Sequence, residues 1–259
     1  MQESFTILCD VRYFPEQAFR LATEWSKAFN KPISLLSLVS DEQERSGVES
    51  VHRKWKQEKE DVFLTYCKTG SLPFLSLILN ELDVAILIIP LAKQTRFYRV
   101  MPLLSACRDL RMPYVFIKEG FSLIACRRWL IPVGFLPEEK EKGVIASSFG
   151  RFYPSSFDIL LANDYGPRAA RNAEAIQTLL TKFSIPYRLS KGRKDSFGIQ
   201  QEAVMRASQG EADIVVLTAS REYGLDDLLF GPPERKMIVN SRVPLLILNP
   251  RDDLYVLCG

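Results

Sequence analysis

One histidine, no Cys-x-x-Cys pair, no dense block of lysine and arginine, and no apolar run long enough to cross a bilayer: these shortages narrow the function of this 259-residue chain. With His52 as the sole imidazole, a zinc site is not expected, and any Ser-His-Asp triad would have to use it. His52 lies in "VESVHRKWKQEKE", a polar stretch with the look of a helical excursion, and is expected on the surface. The five cysteines, Cys9, Cys67, Cys107, Cys126 and Cys258, are odd in number and widely spaced, as reduced thiols of a cytoplasmic protein would be. The longest apolar stretch, 84–92, is too short to span a membrane, and the opening "MQESFTILCDVRYF" is not a signal peptide. A net charge of +3 without a basic block does not imply nucleic acid. No Gly-x-Ser-x-Gly, Walker loop or Gly-x-Gly-x-x-Gly occurs.

What is present is an ordinary globular composition, 47% hydrophobic and 25% charged, in a chain long enough for two domains. Apolar runs of strand length recur at about 5–11, 33–39, 61–67, 84–89 and 113–117, and again at about 128–133, 157–162, 186–190, 213–218 and 244–249. Most gaps between them carry helical spacing. "PEQAFRLATEWSKAFN" places Phe19, Ala22, Trp25 and Phe29 on one face, and "NAEAIQTLLTKF" does the same with Ala173, Ile176, Leu179, Leu180 and Phe183. Alternating strand and helix predicts parallel sheets covered by helices. The two sets repeat: "ELDVAILII" matches "EADIVVLTA", and "RMPYVFI" matches "RVPLLIL". Asp83 and Asp213 are 130 residues apart, Pro113 and Pro244 are 131 apart. Two similar α/β domains in tandem are expected, 1–120 and 126–259.

The stretch "ADIVVLTASREYGLDDLLFGPPERKMIVNSRVPLLIL" and the opening "WLIPVGFLPEEKEKGVIASSFG" resemble the universal stress protein family, and the likeness covers nearly the whole chain. "GLDDLLFG", Arg235, Ser241 and "VPLLIL" stand where the family has its glycine-rich loop, last helix and last strand. The resemblance implies two five-stranded parallel sheets of the adenine-nucleotide alpha-hydrolase-like type, each in order 3-2-1-4-5, with ligand at the carboxyl ends of the strands. It also implies that the two domains pair through their last strands as an internal pseudo-dimer, which would protect those edges.

Nucleotide-binding members of that family carry Gly-x-x-Gly-x9-Gly-Ser/Thr, whose bare backbone N–H groups converge on phosphates. With Gly231 as the last glycine, Arg221 falls on the second, Thr218 on the first and Pro232 on the Ser/Thr. One position of four is kept. Pro232 brings neither hydroxyl nor N–H, although Ser220, Arg221 and Arg235 offer side-chain donors to an anion. The Asp that the family has after its first strand is Gly134 in one half and Arg12 in the other, with Asp10 expected to point elsewhere. The first half has no glycine between Ser71 and Glu119, so no phosphate nest and no ATP are expected there, despite Lys93, Arg96 and Arg99. Asp158, Asp164, Asp213, Asp226 and Asp227 are the carboxylates expected near the second cleft, the last two within reach of Mg²⁺ beside a nucleotide. "GRKDSFG" reads as a turn with Asp195 or Ser196 as helix cap. The tail "RDDLYVLCG" has the alternation of an edge strand.

These features predict a cytoplasmic, non-enzymatic universal stress protein with a degenerate nucleotide loop and no cofactor, acting by binding. Its partners would be the internal pseudo-dimer, a homodimer and unidentified proteins, with neither nucleic acid nor membrane. The alternative is ATP with Mg²⁺ in the second cleft, against Pro132, Val133, Gly134, Thr218, Ser220, Arg221, Gly224 and Gly231, with slow hydrolysis as an adjunct. A nucleotide alpha-hydrolase-like enzyme is a third class. The degenerate loop weighs against both nucleotide readings.

Overall fold

The computed structural model describes residues 3–59, 63–92, 97–120, 125–220 and 232–251. The chain divides into two compact units, 1–123 and 124–259. In the first, strands β1 (Ser4–Leu8), β2 (Ile33–Val39), β3 (Leu64–Thr69), β4 (Val84–Leu91) and β5 (Tyr114–Lys118) alternate with helices α1 (Glu16–Phe29), α2 (Glu42–Lys59), α3 (Leu75–Asn80) and α4 (Phe97–Cys107). In the second, β6 (Arg128–Val133), β7 (Ser156–Leu161), β8 (Tyr187–Lys191), β9 (Ile214–Thr218) and β10 (Leu245–Leu248) alternate with α5 (Lys142–Phe152), α6 (Arg168–Lys182), α7 (Ile199–Ser208) and α8 (Pro233–Asn240).

Each unit's strands pair in parallel, in the order β3-β2-β1-β4-β5 and β8-β7-β6-β9-β10. Both are the order 3-2-1-4-5 implied by the resemblance. The apolar runs become strands because both faces are covered, as in parallel sheets generally. Phe5 and Ile7 are buried on one face of β1, and Ser4 and Thr6 on the other, where Thr6 Oγ1 and Ser34 Oγ lie 2.8 Å apart. Trp25 of α1 is fully buried against Phe5, with ring centroids 5.9 Å apart. In the second unit Trp129 of β6 lies 4.5 Å from Phe149 of α5 by ring centroids. The α6 stripe buries Ala173, Ile176 and Leu180, but Phe183 lies past the helix end and is exposed. Gly210, just past the end of α7, has φ +95, a conformation that a Cβ disfavours.

Gly150 on α5 marks a close approach. A Cβ there would lie 2.5 Å from Cγ2 of Ile185. Gly150→Ala is therefore expected to cost about 1–3 kcal/mol through overpacking, seen as a lower urea midpoint at unchanged slope. The gain of roughly 0.5–1 kcal/mol usual for Gly→Ala inside a helix would mean instead that Ile185 steps aside freely.

Candidate functional site

Strand order reverses in each unit between the first and fourth strands. There the connections leave in opposite directions and open a crevice at the carboxyl ends. In the second unit this is the space beyond β6 and β9. The two strands pair at Trp129–Ile214 and Leu130–Val215, with no further ladder pair between them among the described residues. Val133 and Thr218 end the two strands at the crevice.

Several polar groups of the predicted site are taken up by the protein itself. Lys142 Nζ donates to the Pro132 carbonyl and to Glu139 Oε2, both at 2.7 Å. The two side chains are 0% and 4% exposed, which makes this a buried ion pair. Burial pushes the Lys142 ammonium below its usual range, against the opposing pull of Glu139. The Val133 carbonyl accepts from the Ala162 N–H at 2.9 Å. Gly134 N–H donates to Glu139 Oε2 at 3.2 Å, and its carbonyl accepts from Asn172 at 2.8 Å.

A Cβ on Gly134 would stand 2.7 Å from Ser196 Oγ. The aspartate that the resemblance expects there has no room, because Ser196 occupies its place. Ser196 Oγ accepts the Phe135 N–H at 2.8 Å and donates to Asp164, whose other oxygen accepts the Ser196 N–H at 2.8 Å. The loop carrying Ser196 is held by Glu202, which accepts the N–H groups of Arg193 at 2.9 Å and Lys194 at 2.8 Å. Burial raises the Glu202 carboxyl, but these amides and Arg206 outweigh it and hold the group below its usual range.

On the β9 side, Gln200 brackets Thr218: its Oε1 accepts the Thr218 N–H at 2.9 Å and its Nε2 donates to the Thr218 carbonyl at 3.2 Å. Ser220 gives both its N–H and its hydroxyl to Glu234 Oε1, at 2.5 and 2.7 Å. Glu234 stands in the first turn of α8, next to Pro233, and is 2% exposed. An internal carboxylate thus sits on the donors proposed for an external anion. The Thr218 hydroxyl and Glu234 Oε2 are buried without a hydrogen-bond partner.

Of the other predicted residues, Arg221, Gly224, Gly231, Lys93, Arg96, Asp226, Asp227 and Cys258, with most of the tail, lie outside the described residues. Asp158 is not in the crevice. It sits within β7, paired with Arg188 and accepting the Ser190 hydroxyl at 2.8 Å. Asp213 is at the opposite, amino end of the sheet, where it accepts the Arg128 N–H at 2.8 Å. Ser196 is no helix cap, for the reason just given; Asp195 accepts the Gly198 N–H at 3.2 Å, one residue before α7. Ser241 closes the turn before β10 by donating to the Val243 carbonyl at 2.6 Å. A smaller cavity of about 440 Å³ lies beside the crevice, against Phe135, Asp164, Tyr165 and Arg168.

His52 overturns its expected surface position. It is 2% exposed on the inner face of α2, with Nε2 3.0 Å from Ser37 Oγ and Nδ1 unpartnered. Burial, with Lys56 adding to it, lowers its pKa from 6.5 to about 4. No carboxylate orients the imidazole, so Ser37 and His52 do not make a triad. The readable signal was Val48, His52 and Trp55, the three buried residues of α2, at helical spacing on one stripe. Sequence reasoning also missed Glu139, Lys142, Gln200 and Glu234. Only Glu234 had a local cue, an acid in the first turn of a helix begun by proline.

The first unit has a cavity of about 850 Å³ beyond β1, β2 and β4. Asp10 and Arg12 form an ion pair at its mouth, and the Arg12 guanidinium holds the Asp10 carboxyl below its usual range. Cys9 in its wall has its thiol pushed up by burial, which disfavours the reactive thiolate. Among the described residues no His, Cys, Asp and Glu cluster is arranged to hold a metal ion, and no helix is long and apolar enough to cross a membrane.

The fold defines a class: doubly wound parallel α/β units, each with its crevice at the carboxyl ends. Solved structures with this fold include a universal stress protein from Archaeoglobus fulgidus DSM 4304. It is 11% identical, aligned over 97% of this chain and 98% of its own, with a TM-score of 0.70. A functionally unknown protein from Pseudomonas aeruginosa PAO1 is 14% identical, over 98% of this chain and 94% of its own, with a TM-score of 0.63. The shared fold extends across both units. No protein-family model and no curated protein matches the chain.

Proposed function

We propose that this chain is a cytoplasmic universal stress protein that works by binding rather than turnover, with no nucleotide in its second crevice. The observation that carries the reading is the buried Glu234 carboxylate on the Ser220 N–H and hydroxyl. A phosphate arriving there would meet a negative charge in place of free donors, and like charges at close range repel strongly where water is excluded. Ser196 against Gly134 supports the same reading on the β6 side. Binding through protein surfaces, with the two units as an internal pair and a second copy as a further partner, belongs to this proposal.

The test is thermal unfolding of the full chain with and without ATP and Mg²⁺. A ligand at 100 times its Kd stabilises by about 2.7 kcal/mol, so binding would be visible. The expected result is no shift for the wild type and a rise for Glu234→Ala, whose Ser220 donors are released. A wild-type rise would overturn the proposal in favour of the ATP-binding reading.

A further inference from the structure

We propose that the cavity of the first unit is a binding site for a small apolar monocarboxylate. The site is separate from the second unit's crevice and stands whether or not that crevice holds a nucleotide. Its volume of about 850 Å³ falls in the range of roughly 300–1,000 Å³ typical of small-molecule sites. It opens beyond β1 and β4, where an open α/β sheet offers its crevice. The walls are mainly aliphatic: Leu8, Leu38, Val48, Ile89, Leu91 and Leu103 line them.

The charges at the mouth decide the sign of the ligand. Asp10 and Arg12 neutralise each other as a bidentate pair, with Arg12 Nε 2.8 and 2.7 Å from the two carboxylate oxygens. Glu44 is engaged by the Ser40 N–H at 2.7 Å. Arg99 lines the cavity, is exposed, and adds its charge to that of Arg12 in holding the Asp10 carboxyl down, but makes no hydrogen bond or ion pair with a described residue. An apolar cavity with a guanidinium at its edge whose N–H groups bond no described residue complements a greasy body with a single carboxylate head. A nucleotide fits the same space poorly. No glycine lies between Ser71 and Glu119 to make a phosphate nest.

Calorimetric titration of the full chain with decanoate, decanol and ATP with Mg²⁺ tests this. One decanoate per chain is expected. Arg99→Glu should weaken decanoate about tenfold or more while leaving decanol nearly unchanged. Leu103→Trp, which fills the cavity, should weaken both. Leu103 is only half-buried, and a melting curve checks that this variant folds; Arg99→Glu, at an exposed position, carries the test if it does not. No decanoate binding, or binding indifferent to Arg99→Glu, overturns the site, and so does ATP displacing decanoate. ATP binding that coexists with bound decanoate and survives both variants would count against the proposed function instead and leave this site standing.

Discussion

Glu139→Ala is expected to destabilise the folded chain by about 3–5 kcal/mol, the cost of removing one partner from a buried ion pair. Glu139 Oε2 accepts both the Lys142 ammonium at 2.7 Å and the Gly134 N–H at 3.2 Å. Its loss leaves a charge that water cannot reach, with the Pro132 carbonyl as its remaining acceptor. Deprotonation of Lys142 would cap the penalty, since burial already moves its pKa downward. Against a total stability of about 5–15 kcal/mol, the loss should be plain in urea denaturation. The double variant Glu139→Leu, Lys142→Met is expected to sit close to the wild type, because replacing the whole pair with apolar side chains removes the desolvation cost as well. Additive losses in the double variant would show that the pair is not the unit of stability.

Acid should weaken the protein through His52. The folded pKa of about 4 lies below the unfolded 6.5. Between those values the unfolded chain binds a proton that the folded chain excludes, so stability falls as pH falls. The contribution is absent well above pH 6.5 and reaches about 3 kcal/mol of lost stability near pH 4. His52→Gln, which keeps a side chain able to bond Ser37, removes this dependence. Plotted against pH, the difference in unfolding free energy between wild type and variant should be level above about pH 7 and move in the variant's favour below about pH 6.5. A difference that stays level down to pH 4 would mean that the imidazole takes up its proton within the fold.

The second unit's crevice owes its contents to chain return. Ser196 meets Phe135 and Gln200 meets Thr218 because loops and helices come back over the sheet at its carboxyl edge. The carboxylates went astray for a related reason. Asp158 and Asp213 lie in or beside strand runs, but only position along the strand decides which end of the sheet a side chain serves. Asp213 precedes β9 and so belongs to the amino end.

The sequence by itself determined the strands to within a few residues, the alternation of strand and helix, and the degeneration of the glycine pattern at Arg221 and Pro232. Those features are local: a strand shows as an apolar run, a helix as a stripe, and a lost glycine as a Cβ where none is tolerated. Only the tertiary structure decided what stands in the vacated positions. Glu234 reaches back 14 residues to Ser220, and Ser196 packs on a turn 61 residues earlier. It also decided that His52, in a strongly polar helix, faces inward to Ser37. Burial and pairing are properties of surfaces brought together by strand order, and no window of sequence contains both partners.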